Sequence, residues 1–150
     1  MIVKSLDHLN QISKTISKKL ENGDCIFLIG EIGVGKTTFT RYLINNLQIQ
    51  KGYEETEVLS PTFNLLYEYE IRDLKIMHYD LYRIKKVNEL DLLGIFSENE
   101  KSIKIIEWPD LIKTPFNNKL EIYLEYKKNE NERKIKIHGS GKWKDFENEL

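Results

Sequence analysis

Gly30, Gly35, Lys36 and Thr37 stand in the spacing G-x-x-x-x-G-K-[ST], within the stretch GEIGVGKTT from Gly30 to Thr38. These residue types suit the grip of a phosphate. Glycines let the backbone curl until successive N–H groups point at anionic oxygens. A helix that starts at once adds the positive end of its dipole. A lysine in the place of Lys36 reaches the β- and γ-phosphates, and a hydroxyl in the place of Thr37 binds Mg²⁺. Gly30, Glu31, Ile32, Gly33, Val34, Gly35, Lys36, Thr37 and Thr38 are therefore the expected phosphate cradle. A glycine-rich turn that matches by chance is the plainer alternative, made uncommon by four specified residues between a strand pattern and a helix pattern.

A phosphate cradle alone is not a catalyst. Hydrolysis or transfer also needs a carboxylate near the metal and a group that orients the attacking oxygen. Two strand-like runs end in acids, KIMHYD at Asp80 and SIKIIE at Glu107. Ligands of doubly wound sheets gather at the carboxyl ends of strands, so both acids are placed to reach Mg²⁺ directly or through water. A helix cap or turn role for Asp80, and a surface role before a proline turn for Glu107, stand beside that reading. SPTF places Thr62 in a loop where its hydroxyl would sense a γ-phosphate, or else in an ordinary proline turn. Trp108, directly after Glu107, reads as core or as contact surface. His8, His78 and His138 lack metal-ligand spacing and read as structural or solvent-facing. DLLG at Asp91 and NKLE at Asn118 imitate GTPase motifs, yet the first lies in a helical pattern and the second leads into a strand. Adenine is bound by shape and backbone contacts that leave little trace, so ATP is the expected nucleotide.

These side chains need elements to position them. Leu6, Leu9, Ile12, Ile16 and Leu20 recur at helical steps, with Ser5 as N-cap and Gly23 just past the end. DCIFLIG is a buried strand, and Lys36 to Leu47 has helical spacing, so the glycine-rich stretch joins a strand to a helix. NLLYEYEI and LKIMHYDLY alternate around Arg72 and Asp73 and predict an antiparallel hairpin. VNELDLLG predicts a short helix closed by Gly94. SIKIIEW is a second buried strand, KLEIYLEY and RKIKIHG flank the turn KKNENE, and WKDFENEL forms a last turn or frays. The expected fold is α/β: a P-loop NTPase-like mixed sheet, a parallel core with antiparallel hairpins, flanked by helices, as one domain over residues 1–150.

Composition narrows the function classes. The 150 residues are 40% hydrophobic and 31% charged with a net charge of −1, so no overall basic field holds a nucleic acid. One basic stretch stands out, with Lys127, Lys128, Arg133, Lys134, Lys136, Lys142 and Lys144 against Glu130 and Glu132. It reads as a solvated hairpin, or as a docking edge for a partner or for tRNA. No run has the length of a membrane span or a signal segment. The lone Cys25 lies in an apolar run and fits a reducing compartment. A cytoplasmic protein without membrane association is expected.

The P-loop GEIGVGKTT, then SPTF, HYDLYR and IIEWPD, in this order, resembles the TsaE family, small bacterial ATPases of tRNA threonylcarbamoyladenosine biosynthesis. The resemblance implies that Gly30 to Thr38 hold the ATP phosphates and that Thr37 and Glu107 ligate Mg²⁺. It puts Asp80 in the first or second shell of the metal, Thr62 in a switch-like loop and Trp108 beside the site. It implies TsaB and TsaD as protein partners, with tRNA met through their complex. The family often has Asp-Leu-Gly-Ala where this chain has Glu31-Ile32-Gly33-Val34. A P-loop kinase of small molecules is the alternative, weakened because Arg83 is the only arginine between Asp80 and Ser102 for a lid. A nucleotide-controlled binding module that hardly turns over is a third reading.

Overall fold

A computed structural model of the chain describes residues 1–97 and 101–150. Among these residues seven strands form one mixed sheet in the order β1-β7-β6-β2-β5-β4-β3. They are β1 Ile2–Val3, β2 Asp24–Ile29, β3 Leu66–Ile71, β4 Leu74–Asp80, β5 Ile103–Glu107, β6 Asn118–Tyr126 and β7 Arg133–Ser140. The helices are α1 Leu6–Ser17, α2 Lys36–Gln50 and α3 Asn88–Leu92.

The centre of the sheet is parallel, with β2 between β5 and β6 and β4 beside β5. The two predicted hairpins, β3–β4 and β6–β7, pair antiparallel on either side of it. This is the expected mixed sheet. In the β4–β5 register Asp80 lies opposite Glu107, so the two acids end adjacent strands at one edge.

Alternation sorts the buried residues onto two faces. Ile26, Leu28, Ile76, Ile103 and Ile105 pack with Leu9, Ile12 and Ile16 of α1 and Phe39, Leu43 and Leu47 of α2. Cys25, Phe27, Tyr79 and Ile106 face the other way, against Leu81, Leu90, Ile95 and Ile112. Burying a large apolar side chain contributes roughly 1.5–3 kcal/mol, so the α1–α2 layer anchors the base of α2, where the glycine-rich loop enters.

Several boundaries differ from expectation. Ser5 caps α1 by accepting from the His8 N–H at 3.1 Å, but the helix ends at Ser17 rather than at Leu20. The Ser17 hydroxyl bonds back to the Lys14 carbonyl at 2.9 Å, and Leu20 reaches the core from the turn beyond. α2 runs three residues further than predicted. The tail does not fray: two 3₁₀ turns bury Trp143 and Phe146 edge-to-face.

Candidate functional site

The loop after β2 is shaped by close approach and by backbone sign. A Cβ on Gly30 would meet the Leu124 carbonyl of β6, and Gly35 opens α2 at φ 118°, a left-handed conformation that only glycine adopts cheaply. Two contacts brace the loop from outside. Tyr126 Oη donates to the Ile32 carbonyl at 2.8 Å, and Arg133 Nε donates to the Val34 carbonyl at 3.0 Å. Both braces come from the ends of the β6–β7 hairpin that face its turn, and the Arg133 guanidinium lies over the Tyr126 ring.

Lys36 is buried, and its amine donates to the carbonyls of Gly30 at 2.7 Å and Glu31 at 2.9 Å. The Trp108 ring covers it, with the amine 4.1 Å from the ring centroid. Burial lowers the Lys36 pKa; the charges of Glu107 and Asp80 oppose that effect. Trp108 holds φ 58°, unusual for a bulky residue and costing of order 1–3 kcal/mol. Tyr82 packs on its indole with centroids 4.9 Å apart.

The acids lie beyond the lysine. Thr37 Oγ1 donates to the Glu107 carboxylate, 3.2 Å from each oxygen. The imidazole of His78 contacts the same carboxylate, with Nε2 2.7 Å from Oε2. Asp80 Oδ2 accepts from the Thr62 hydroxyl at 2.8 Å, and Oδ1 accepts from the Tyr82 N–H at 2.9 Å. The Ser60 and Thr62 hydroxyls are 2.9 Å apart. A cavity of about 330 Å³ joins Ile32, Gly33, Gly35, Lys36, Thr37, Thr38, Ser60, Thr62, Asp80, Tyr82, Glu107 and Trp108.

Lys36, Thr37, Thr62, Asp80, Glu107 and Trp108 therefore meet at one place, though 72 positions separate Lys36 from Trp108 in sequence. Gly30 and Glu31 take part through their carbonyls, and Val34 is buried beneath the loop. Trp108 is neither plain core nor open surface; it roofs the lysine. Arg83 lies over the Phe63 ring and does not line the cavity. Of the segment between Asp80 and Ser102, where a kinase lid is expected, residues 98–100 lie outside the described residues. In the basic stretch, Arg133 turns inward to the loop, while Lys142 pairs with Asp24 and Glu21. Two site residues had no signal of their own in the sequence. Tyr82 is an unremarked aromatic after Asp80, and His78 is a lone histidine; only the alternation Ile76, His78, Asp80 puts the imidazole on the acid's face.

The donor set suits a hard cation shared with a ligand. Among the described residues no three His, Cys, Asp or Glu gather to hold a metal by themselves. One hydroxyl and one or two carboxylates, completed by phosphate oxygens and water, is the arrangement Mg²⁺ favours. Among the described residues no helix is long and apolar enough to cross a membrane.

Fold and site together define a mixed α/β protein with a glycine-rich strand–loop–helix facing acids on neighbouring strand ends. The family model of the threonylcarbamoyl adenosine biosynthesis protein TsaE matches residues 3–135. A TsaE protein of Aquifex aeolicus is 32% identical over 138 residues, which span 92% of this chain and 94% of that protein. A TsaE protein of Rickettsia felis is 34% identical over 113 residues, 75% of this chain but only 64% of its own length. The crystal structure of Bacillus subtilis YdiB superposes with a TM-score of 0.73 at 24% identity, covering 99% of this chain and 90% of that one, a likeness of fold. The chain belongs to the TsaE family, whose named members serve tRNA threonylcarbamoyladenosine biosynthesis.

Proposed function

We propose that this chain binds ATP with Mg²⁺ in the cavity of about 330 Å³ and hydrolyses it as a component of tRNA N6-threonylcarbamoyladenosine modification. The observation that carries the reading is the convergence of Lys36, Thr37, Glu107 and Asp80 on one cavity behind a glycine-rich loop. Loop N–H groups and the start of α2 meet the phosphate oxygens. Lys36 exchanges the Gly30 and Glu31 carbonyls for the β- and γ-phosphates, a stronger, charge-assisted contact. Thr37 and Glu107 hold the metal, with Asp80 near it. When bound, Mg²⁺ neutralises charge that develops between the β- and γ-oxygens. The Thr62 hydroxyl, already tethered to Asp80, responds to the γ-phosphate and lets its loop report the nucleotide state.

TsaB and TsaD are the proposed partners, and tRNA is met through them. The net charge of −1 offers little general attraction for tRNA, and Arg133, Lys134, Lys136 and Lys142 of the basic stretch are engaged within the protein. Among the described residues no arginine lines the cavity, so a partner is expected to complete or reorder the site and accelerate hydrolysis. The kinase reading gains nothing from Arg83, which lies over Phe63. The test is ATP turnover by the chain alone, then with TsaB and TsaD added. Slow turnover that rises with the partners is expected, with most of the Mg²⁺-dependent rate lost in Glu107→Ala and Asp80→Ala. Full turnover alone that the partners leave unchanged, or parent rates in both variants, contradicts the proposal.

A further inference from the structure

His78 is fully buried in β4, opposite Ile105 of β5 and two residues before Asp80. Its Nε2 is 2.7 Å from Oε2 of Glu107, whereas its buried Nδ1 has no hydrogen-bond partner among the described residues. A carboxylate only accepts, so Nε2 carries the proton and donates. An apolar side chain of similar size would fill this space without burying an unpaired ring nitrogen, so packing alone does not account for an imidazole here. The bond to Glu107 does. The carboxylate is held from the core side by His78 and from α2 by the Thr37 hydroxyl. Two donors on different elements fix both its rotamer and its plane.

We propose that His78 is a positioning residue that presents the Glu107 carboxylate to the Mg²⁺ brought in with a nucleotide. The inference rests on the Mg²⁺–nucleotide reading of the cavity. Donors behind a ligating carboxylate restrict its orientation before the cation arrives, so less freedom is lost on binding, and removal of such a donor typically weakens metal affinity about 10–100-fold. His78 does not itself line the cavity and meets it through the Glu107 carboxylate. Its loss should therefore weaken the metal while sparing metal-free nucleotide binding.

The experiment uses the full chain with ADP and reads Mn²⁺ binding by electron paramagnetic resonance, with ADP affinity in chelator as the control. His78→Leu should weaken Mn²⁺ about tenfold or more and leave metal-free ADP affinity unchanged. His78→Gln puts an amide nitrogen near the Nε2 position and should keep most of the Mn²⁺ affinity. His78→Asn reaches only the Nδ1 position and should behave like His78→Leu. Should His78→Leu not fold, the comparison of the Gln and Asn variants carries the test. Unchanged Mn²⁺ affinity in His78→Leu and His78→Asn, or an equal loss in His78→Gln and His78→Asn, overturns the positioning role. A parent–ADP complex that binds no Mn²⁺ instead overturns the nucleotide–metal reading beneath it.

Discussion

The brace between the β6–β7 hairpin and the glycine-rich loop makes a graded prediction. Tyr126→Phe removes a single hydroxyl-to-carbonyl bond at Ile32, from a ring that is itself well exposed. A neutral bond of this kind is worth roughly 1 kcal/mol net, and exposure reduces it, so nucleotide affinity should fall no more than about fivefold. Arg133→Met keeps much of the stem but removes the bond to the Val34 carbonyl and those to Glu130 and Glu132. The Val34 bond is charge-assisted and partly buried, worth about 1.5–3 kcal/mol, or roughly 10–100-fold in affinity if it serves mainly to hold the loop. On the proposed function, the loop shape held by this brace is the one that would point its N–H groups at phosphate. The assay is fluorescent ADP displacement, run beside thermal unfolding of the same variants. Arg133→Met should lose much more affinity than Tyr126→Phe, with a small change in melting temperature. Unchanged affinity in Arg133→Met with a clear drop in melting temperature would refute the reasoning and make the brace a strut of the fold alone.

Two further outcomes follow from buried titratable groups. Burial lowers the Lys36 pKa below the ordinary 10.5, so the folded chain holds this proton less tightly than the unfolded chain. Stability should therefore rise with pH across the window between the lowered value and 10.5, and Lys36→Met should flatten that rise in pH-dependent denaturant titrations. Cys25 is buried, and burial pushes its thiol pKa well up, with Lys104 and Lys119 only partly opposing. Iodoacetamide at neutral pH should leave it unmodified in the native chain and alkylate it in urea, as read by mass spectrometry; fast native labelling would contradict its placement.

What the sequence reveals and hides has physical causes. The strand–loop–helix around Gly30 to Thr38 is legible because glycines, lysine and threonine stand at fixed spacing between a buried apolar run and a helical pattern. Asp80 and Glu107 are legible because each ends an apolar run, and the β4–β5 register then puts them opposite one another. α1 is overextended from sequence because Leu20 keeps the apolar spacing although the helix stops at Ser17. β1 has two residues, too few to show a period. The Arg133–Val34 and Tyr126–Ile32 bonds join residues more than ninety positions apart, so no local pattern announces them. The roofing of Lys36 by Trp108 likewise depends on the left-handed turn at Trp108 and on the pairing of β5 with β2, neither of which a local pattern announces.

The central claim is that the cavity around Lys36 takes a nucleotide phosphate. Calorimetric titration of ATP with Mg²⁺ into the parent chain and into Lys36→Ala tests it most directly. Lys36 packs against its own loop and the Trp108 ring and not in the apolar clusters that hold the sheet to its helices, so the variant should fold, and its affinity should fall at least tenfold with the loss of a charge-assisted phosphate contact. Saturable binding to the parent that weakens in Lys36→Ala is the predicted result. No binding to the parent, or equal affinity in the two, would contradict the account.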